Sequence, residues 1–434
     1  MSNDSYNNIT VIGLGYVGLP TAIVFASRGL RVVGVDVDVD KVKAVNEGKC
    51  YIREPGLPEL LRDVVSRGLL RATTDGASAV RGSDAVVIAV PTPVKGDDVD
   101  LSYLMSALKV VRDNIHEGLL VVIESTIPPG TTVNIVKPFL EESGYRVEED
   151  FYLAHVPERI APGKAIEELT RASRVVGGVG PRSTEKALEI YGRVNSNLLA
   201  TDATTAEFVK VIENTFRDLN IAYANLLALI AEKIGVDVFE AVRLANTHPR
   251  VKIHLPGAGV GGPCLTKDPY MLVKTGENVF GVDLIKLARS INDYMPKHVV
   301  ELVEKTLESI GKSVKNNKIA ILGTAYKADV DDPRESPAKT IIKELLSLGA
   351  KVVAYDPYCP ETFGAERAES LEEALRDADA VVIATDHTVF RNLDLDAVKR
   401  LMKDKPVIID GRGIIDYRKA REHGFLYCGV GVGR

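Results

Sequence analysis

The chain has 434 residues, 45% of them hydrophobic and 26% charged, ordinary globular proportions that exclude a disordered or fibrous protein. At about 100–200 residues per domain the length predicts two or three domains. Its 54 basic and 60 acidic residues leave a net charge of −6, so no global basic field exists to hold nucleic acid, and an anionic ligand must be met by local positive charge.

The first ~200 residues alternate short β-branched runs with helical patterns. Ile9–Ile12, Arg31–Val35, Ala85–Val90 and Leu119–Ile123 read as strands, with Phe151–Ala154 and Arg174–Val176 as later ones. Their near-continuous apolar character suits a parallel sheet buried on both faces. Intervening segments such as Pro20–Arg28 have helical spacing, which predicts a doubly wound α/β domain. Thr204–Ile234 is then one long helical pattern without Gly or Pro, about 45 Å at 1.5 Å per residue. It is suited to connect two lobes or to pair with its twin in a dimer. The region through Asn292 reads as helical apart from a Gly/Pro-rich loop near Cys264, and Lys297–Ile310 resumes the pattern past Pro296. From Lys318 the alternation returns, with strands at Ile319–Leu322, Lys351–Tyr355, Ala380–Ala384 and Pro406–Ile409. The expected fold is therefore α/β, with two doubly wound Rossmann-like domains joined by a long central helix and a helical middle domain. The boundaries fall at residues 1–200, 201–312 and 313–434, and a ligand cleft is expected at the centre.

Cys50, Cys264, Cys359 and Cys428 are far apart and form no CxxC pair, which fits neither a disulfide scaffold nor a zinc site. Met1–Asn8 is polar and lacks a signal-peptide pattern. No apolar run approaches the roughly 18–20 residues that span a bilayer. The expectation is a cytoplasmic chain with no metal and no membrane partner.

Ile9–Ile12 runs into Gly13-Leu14-Gly15-Tyr16-Val17-Gly18, a strand followed by GxGxxG with a helix after it. In this pattern Gly13 allows the tight turn, Gly15 lets a pyrophosphate approach the backbone, and Gly18 lets helix and strand pack closely. The helix N-terminus then holds the diphosphate. Asp36 closes the second strand 18 positions after Gly18. Its carboxylate can accept from ribose hydroxyls and would repel a 2′-phosphate, which favours NAD over NADP. Thr92 and Thr126 each follow a strand, where such sheets place ligands, although turn and cap residues sit there too.

Cys264 lies in Pro256-Gly257-Ala258-Gly259-Val260-Gly261-Gly262-Pro263-Cys264, followed by Lys267-Asp268. A Gly-rich loop exposes the thiol, Lys267 would favour its thiolate, and Asp268 is placed to act as a base. The other three cysteines read as inert packing residues. Lys210 and Asn214 share one face of the long helix, with Arg217 a turn further on. They form a cation and an amide suited to a developing oxyanion, or else an ordinary solvated face. Gly323-Thr324-Ala325-Tyr326-Lys327 opens the last domain without a full GxGxxG, so no second dinucleotide is expected there. Lys327, Arg334 and Arg412 supply local positive charge for a diphosphate.

Together GLGYVG, ESTIPPGTT, PGAGVGGPCLTKD and YKADVDDPRESPA resemble the UDP-glucose/GDP-mannose dehydrogenase family, from Ile9 nearly to the C-terminus. The resemblance implies an NAD-dependent oxidation of a nucleotide sugar from C6 alcohol to C6 carboxylate. It also implies an N-terminal NAD domain, a central helix that dimerises or builds a larger homo-oligomer, and a C-terminal nucleotide domain. Pro157-Glu158-Arg159-Ile160-Ala161-Pro162-Gly163, Glu213–Ala222 and Arg243–Val251 are similar to the N-acetylhexosamine branch, and most of all to members acting on UDP-N-acetyl-D-mannosamine. Pro263 stands where that branch often has His, and Pro162 replaces the second glutamate of the UDP-glucose pattern. By the resemblance Gly13, Gly15, Tyr16, Val17, Gly18, Asp36, Lys41, Thr92, Thr126 and Arg334 contact NAD. Arg159, Ile160, Lys210, Asn214, Arg217, His248, Arg250, Gly261, Tyr326, Lys327 and Arg412 contact the UDP-sugar. Cys264, Lys210, Asn214, Asp268, Glu158 and Thr126 are the implied catalytic set, with Asp268 or Glu158 handling protons. UDP-N-acetylglucosamine or UDP-glucose as substrate, a two-electron hydroxyacid dehydrogenase, and a non-catalytic NAD-binding regulator stay open at this level.

Overall fold

The computed structural model describes residues 6–96, 98–160 and 163–432. They form two compact units, Met1–Glu213 with Tyr270–Glu277, and Asn214–Pro269 with Asn278–Arg434.

The first unit is built on eight strands: β1 (Asn8–Ile12), β2 (Arg31–Val35), β3 (Leu70–Thr73), β4 (Ala85–Ile88), β5 (Leu120–Ile123), β6 (Tyr152–His155), β7 (Arg174–Gly178) and β8 (Leu198–Asp202). Their order is β3-β2-β1-β4-β5-β6-β7-β8, a doubly wound sheet whose direction of winding reverses between β1 and β4. The apolar runs are buried on both faces, as their composition predicts. Val86 and Val121 join the core on one side, while Val87 and Val122 join the core on the other. The expectation of a wholly parallel sheet is corrected at one place, because β7 runs antiparallel to β6. Strands β3 and β8 were not expected from the sequence. Both are short and compositionally mixed, and they lie at the two edges of the sheet.

The second unit carries β9 (Lys318–Leu322), β10 (Lys351–Tyr355), β11 (Glu366–Arg367), β12 (Ala380–Ile383), β13 (Val407–Asp410) and β14 (Leu426–Gly429). The order β11-β10-β9-β12-β13-β14 repeats the winding of the first sheet, with every pair parallel.

The long helix spans Ala203–Ile234, about 48 Å at 1.5 Å per residue. A second long helix, Asp283–Glu308, continues through Pro296. Pro296 has no N–H, so the Asn292 carbonyl one turn earlier is freed from the helix ladder. Gly259 covers that place: a Cβ there would lie 2.9 Å from the Pro296 ring and 3.3 Å from the Asn292 oxygen. The segment between helices Val238–Ala245 and Asp268–Thr275 is longer and less helical than expected. Pro249, Pro256, Pro263 and the glycines between them interrupt helix propagation throughout it.

Candidate active site

In the first unit the Gly13–Gly18 turn joins β1 to helix Gly18–Ser27. Gly13 has φ +94°, and a Cβ on it would stand 2.5 Å from the Ala89 carbonyl oxygen, so only glycine fits. A Cβ on Gly15 would meet nothing within 4 Å, which leaves open space where a pyrophosphate must approach. Asp36 follows β2 directly and is held by the protein itself. Its Oδ2 accepts from the Leu14 N–H at 2.8 Å and lies 3.8 Å from the Lys41 ammonium, and its Oδ1 accepts from the Asp38 N–H at 3.0 Å. Tyr51, which sequence reasoning missed, donates its hydroxyl to the Leu14 carbonyl at 2.6 Å. Both polar groups of Leu14 are thus held from outside the turn. Thr92 and Thr126 come together, with the Thr92 hydroxyl donating to the Thr126 carbonyl at 2.7 Å. Beneath them the buried Glu124 carboxylate accepts from Arg174, from Tyr191 at 2.7 Å and from Thr21 at 3.1 Å. These residues fit a dinucleotide with an unphosphorylated ribose.

The carboxyl end of β6 leads into Glu158, whose Oε1 accepts from the buried Lys210 ammonium at 3.1 Å and whose Oε2 accepts from the Ile160 N–H at 2.7 Å. Burial pushes the Glu158 carboxyl up, but Lys210 and the Ile160 N–H outweigh it and hold the pKa below its ordinary value. His155, fully buried at the end of β6, is pushed down to about 3 by burial and then by Lys210, so it is neutral. Arg159 pairs with Glu213 and donates to the Ser173 carbonyl at 2.8 Å. Ala161 and Pro162 lie outside the described residues.

In the second unit Asn214 donates to Asp268 Oδ2 at 2.6 Å, and both side chains are buried. The Asp268 and Lys267 N–H groups donate to the Cys264 carbonyl at 2.8 and 3.1 Å, which turns the chain into helix Asp268–Thr275. Lys267 lies 3.9 Å from Asp268 Oδ1, so its charge is directed to that carboxylate. The Gly-rich loop has steric reasons for its glycines. A Cβ on Gly261 would lie 2.5 Å from the Glu335 carbonyl oxygen, and one on Gly262 would lie 2.6 Å from the Tyr326 ring. Burial pushes the Tyr326 phenol up to about 12, with Asp332 and Cys264 adding to the shift. Arg334 forks onto Asp332 at 2.6–3.0 Å, and its carbonyl accepts from the Gly262 N–H at 3.1 Å. The half-buried Arg412 donates to the Ala384 carbonyl at 2.7 Å, and a Cβ on Gly257 would lie 3.0 Å from its guanidinium.

Gly261, Tyr326, Arg334 and Arg412 therefore gather around the Cys264 loop. Lys327 and Arg217 are exposed. His248 and Arg250 stand exposed on a separate turn, where the Arg250 N–H donates to His248 Nδ1 at 3.3 Å. Arg334, expected from the resemblance to contact NAD, lies in the unit that carries Cys264. Burial raises Cys50 and Cys359, and Cys428 packs against the core of the second unit. None of the four cysteines is in a disulfide. The acid closing β10, Asp356, matches Asp36 in position but is fully engaged. It accepts from the Thr324 N–H at 2.6 Å, the Ala325 N–H at 3.0 Å and His387 Nε2 at 2.9 Å.

Comparison with known proteins matches residues 7–195 to the NAD binding domain of the UDP-glucose/GDP-mannose dehydrogenase family, 204–294 to its central domain and 320–417 to its UDP binding domain. A relative from Pyrococcus horikoshii named UDP-N-acetyl-D-mannosamine dehydrogenase is 46% identical over 98% of this chain and 99% of its own length. A solved UDP-D-ManNAc dehydrogenase structure from the same organism superposes with a TM-score of 0.92 at 45% identity, covering 98% of this chain and 99% of that one. An NDP-N-acetyl-D-galactosaminuronic acid dehydrogenase from Methanosarcina mazei gives a TM-score of 0.86 at 37% identity, covering 99% and 96%.

Proposed function

The chain belongs to the UDP-glucose/GDP-mannose dehydrogenase family, and from that premise we propose that it oxidises C6 of UDP-N-acetyl-D-mannosamine to the uronate through a covalent intermediate on Cys264. One observation carries the chemistry: the Gly-rich loop places Cys264 at the turn that also orders the buried Asn214–Asp268 pair. The substrate choice is supported by the 46% identity to the Pyrococcus horikoshii relative.

NAD, when bound, accepts one hydride, so the two oxidation steps would use two NAD molecules in turn, and the C6 alcohol gives up its hydroxyl proton as the first hydride leaves to form the aldehyde. Gly13, Gly15, Asp36, Thr92 and Thr126 would hold the cofactor. The Cys264 thiolate adds to the C6 aldehyde carbon, and the carbonyl oxygen takes a proton, forming a thiohemiacetal. Loss of hydride from that carbon, with the hydroxyl proton, leaves a thioester, and water displaces the thiolate to release the carboxylate. Lys210 and Asn214 would stabilise the oxyanions. Glu158, ionised beside Lys210, and Asp268, hydrogen-bonded to Asn214, are the proton carriers of this reading. Tyr326, Lys327 and Arg412 would meet the nucleotide. The division at residues 1–200, 201–312 and 313–434 belongs to the same reading, supported by the spans of the three family models. Four cysteines outside any disulfide support a reducing, cytoplasmic setting.

The same reading makes the chain a homodimer through the long helix. Phe208, Ile212, Phe216, Tyr223, Leu226, Ile230 and Ile234 are exposed and fall within an arc of about 80° at 3.6 residues per turn. Lys210, Asn214 and Asp218 lie on the opposite face. No described helix is long and apolar enough to cross a membrane.

The test is a substrate panel of UDP-N-acetylmannosamine, UDP-N-acetylglucosamine, UDP-N-acetylgalactosamine, UDP-glucose and GDP-mannose, followed by NADH yield. UDP-N-acetylmannosamine should give the highest kcat/KM and two NADH per sugar. A better rate with another sugar would overturn the substrate but not the family. Cys264→Ala should bind NAD normally and form almost no uronate. Intact-protein mass spectrometry of the unmodified enzyme should show an adduct of sugar-nucleotide mass. Two NADH per sugar at normal turnover from Cys264→Ala would refute the covalent route.

A further inference from the structure

Both ends of the Cys264 loop run into one buried polar network that the chemistry above does not use. At the leading end the Gly257 N–H donates to Asn225 Oδ1 at 2.9 Å. Asn225 Nδ2 donates to Asn292 Oδ1 at 2.9 Å, and Asn292 Nδ2 donates to Asp218 Oδ1 at 2.8 Å and to the Asp218 carbonyl at 3.0 Å. Asp218 Oδ1 accepts in turn from the Arg289 guanidinium at 2.6 Å. The same guanidinium nitrogen reaches the Leu265 carbonyl at 3.4 Å, one residue beyond Cys264, and its other terminal nitrogen pairs with Asp293. Asn225, Asn292, Asp218 and Arg289 are each at most 2% exposed. Four polar side chains, two of them charged, are thus removed from water at a site where apolar residues would pack at lower desolvation cost. Asp218 and Asn225 come from the long helix, and Arg289 and Asn292 from the helix containing Pro296, so two helices grip one loop.

We propose that the Asn225–Asn292–Asp218–Arg289 chain is a positioning network that sets the Cys264 sulfur by clamping the loop at Gly257 and Leu265. The loop between these points has its own contacts to Pro296 at Gly259 and to the Tyr326 ring at Gly262, but four glycines leave its backbone soft. With the network intact the loop has a fixed length and fixed ends. Without it the sulfur moves relative to the carbon it attacks. A displacement of about 1 Å in a reacting group costs on the order of 10²-fold in rate. Helix Asp283–Glu308 therefore contributes to the reaction through residues that touch neither substrate nor cofactor. This rests on Cys264 being the nucleophile, and the experiment separates the two ideas.

Arg289→Met, Arg289→Lys and Asn225→Leu are made beside Cys264→Ala. NAD affinity, whose proposed determinants lie in the other unit, reports that each variant is folded. Steady-state kinetics give kcat and KM, and peptide-resolved mass spectrometry gives the rate of Cys264 alkylation by iodoacetamide against pH. The expected result is NAD affinity within two-fold, kcat down by about 10²-fold in Arg289→Met and Asn225→Leu, and partial recovery in Arg289→Lys. The alkylation rate at Cys264 should change at least three-fold in Arg289→Met and Asn225→Leu while that at Cys50 does not. Should Arg289→Met lose NAD binding, Asn225→Leu and Arg289→Lys decide alone, with at least a ten-fold fall in kcat for Asn225→Leu as the supporting result. A kcat within three-fold of the unmodified enzyme, with unchanged Cys264 alkylation in NAD-binding variants, overturns the network. Normal turnover by Cys264→Ala overturns the nucleophile, and the alkylation profile still reads whether the network sets the loop.

Discussion

Glu158 is an ionised carboxylate in surroundings that disfavour charge, and Lys210 is what keeps it so. Its folded pKa is depressed, so the stability it contributes is present above its unfolded value and is lost as pH falls through the folded one. Replacing Lys210 by Met removes the attraction and leaves burial in command, so the Glu158 pKa must rise. Two results are expected. The acid limb of the kcat profile moves to higher pH, and urea unfolding at neutral pH shows a loss of about 3–5 kcal/mol, as for other broken buried pairs. An acid limb that stays in place would remove Glu158 from the proton-transfer scheme. At this scale the sequence was legible where a motif dictates the backbone, as for Gly13 at its tight turn and Asp36 at the end of β2. Tyr51, Asp218 and Arg289 were not legible. A tyrosine after a helix, or a polar residue on one, looks the same whether it is solvated or locked in a buried network, and only tertiary packing decides.

Elements whose local pattern agrees with their tertiary environment were readable from the chain. The apolar runs of β1, β2, β4 and β5 became central strands because a sheet covered on both faces needs apolar residues at every position. The edge strands β3 and β8 have no such requirement and carried no signal. The reversed direction of β7 depends on the path of its connection, which no periodicity encodes. The long helix is read most fully, because its two faces have different tasks. One face buries Asp218 and Asn225, and the other exposes the stripe from Phe208 to Ile234. In the proposed dimer, burial of that stripe against a second copy would be driven by about 25 cal/mol per Å² of apolar surface. Phe216→Glu with Ile230→Asp places two charges in the stripe and none on the opposite face. Sedimentation velocity should show the dimer dissociating to monomers while near-UV circular dichroism stays unchanged. A double variant that sediments as the unmodified protein would refute the proposed dimer through this helix.

The whole chain crosses between its two compact units three times, after Glu213, Pro269 and Glu277, and the first crossing lies inside the uninterrupted helix Ala203–Ile234. Melting one unit alone would have to break that helix in its middle and release Tyr270–Glu277 from the fold it belongs to. The two sheets are therefore expected to unfold together although each has its own core. Ligand linkage makes this measurable. NAD at 100 times its Kd stabilises the native state by about 2.7 kcal/mol, and unfolding entropy near 60 °C is about 2.1 cal/mol/K per residue. If all 434 residues melt as one, saturating NAD raises Tm by about 3 °C; if only the unit that carries the Gly13–Gly18 turn responds, it moves by roughly twice that and the other transition stays still. UDP, which would bind the second unit, supplies the complementary arm. Calorimetry should show one transition that moves with either ligand by amounts set by its saturation. Two transitions, each answering to one ligand, would show that the shared helix transmits no folding cooperativity, and that the chain has joined two independently stable nucleotide-binding folds.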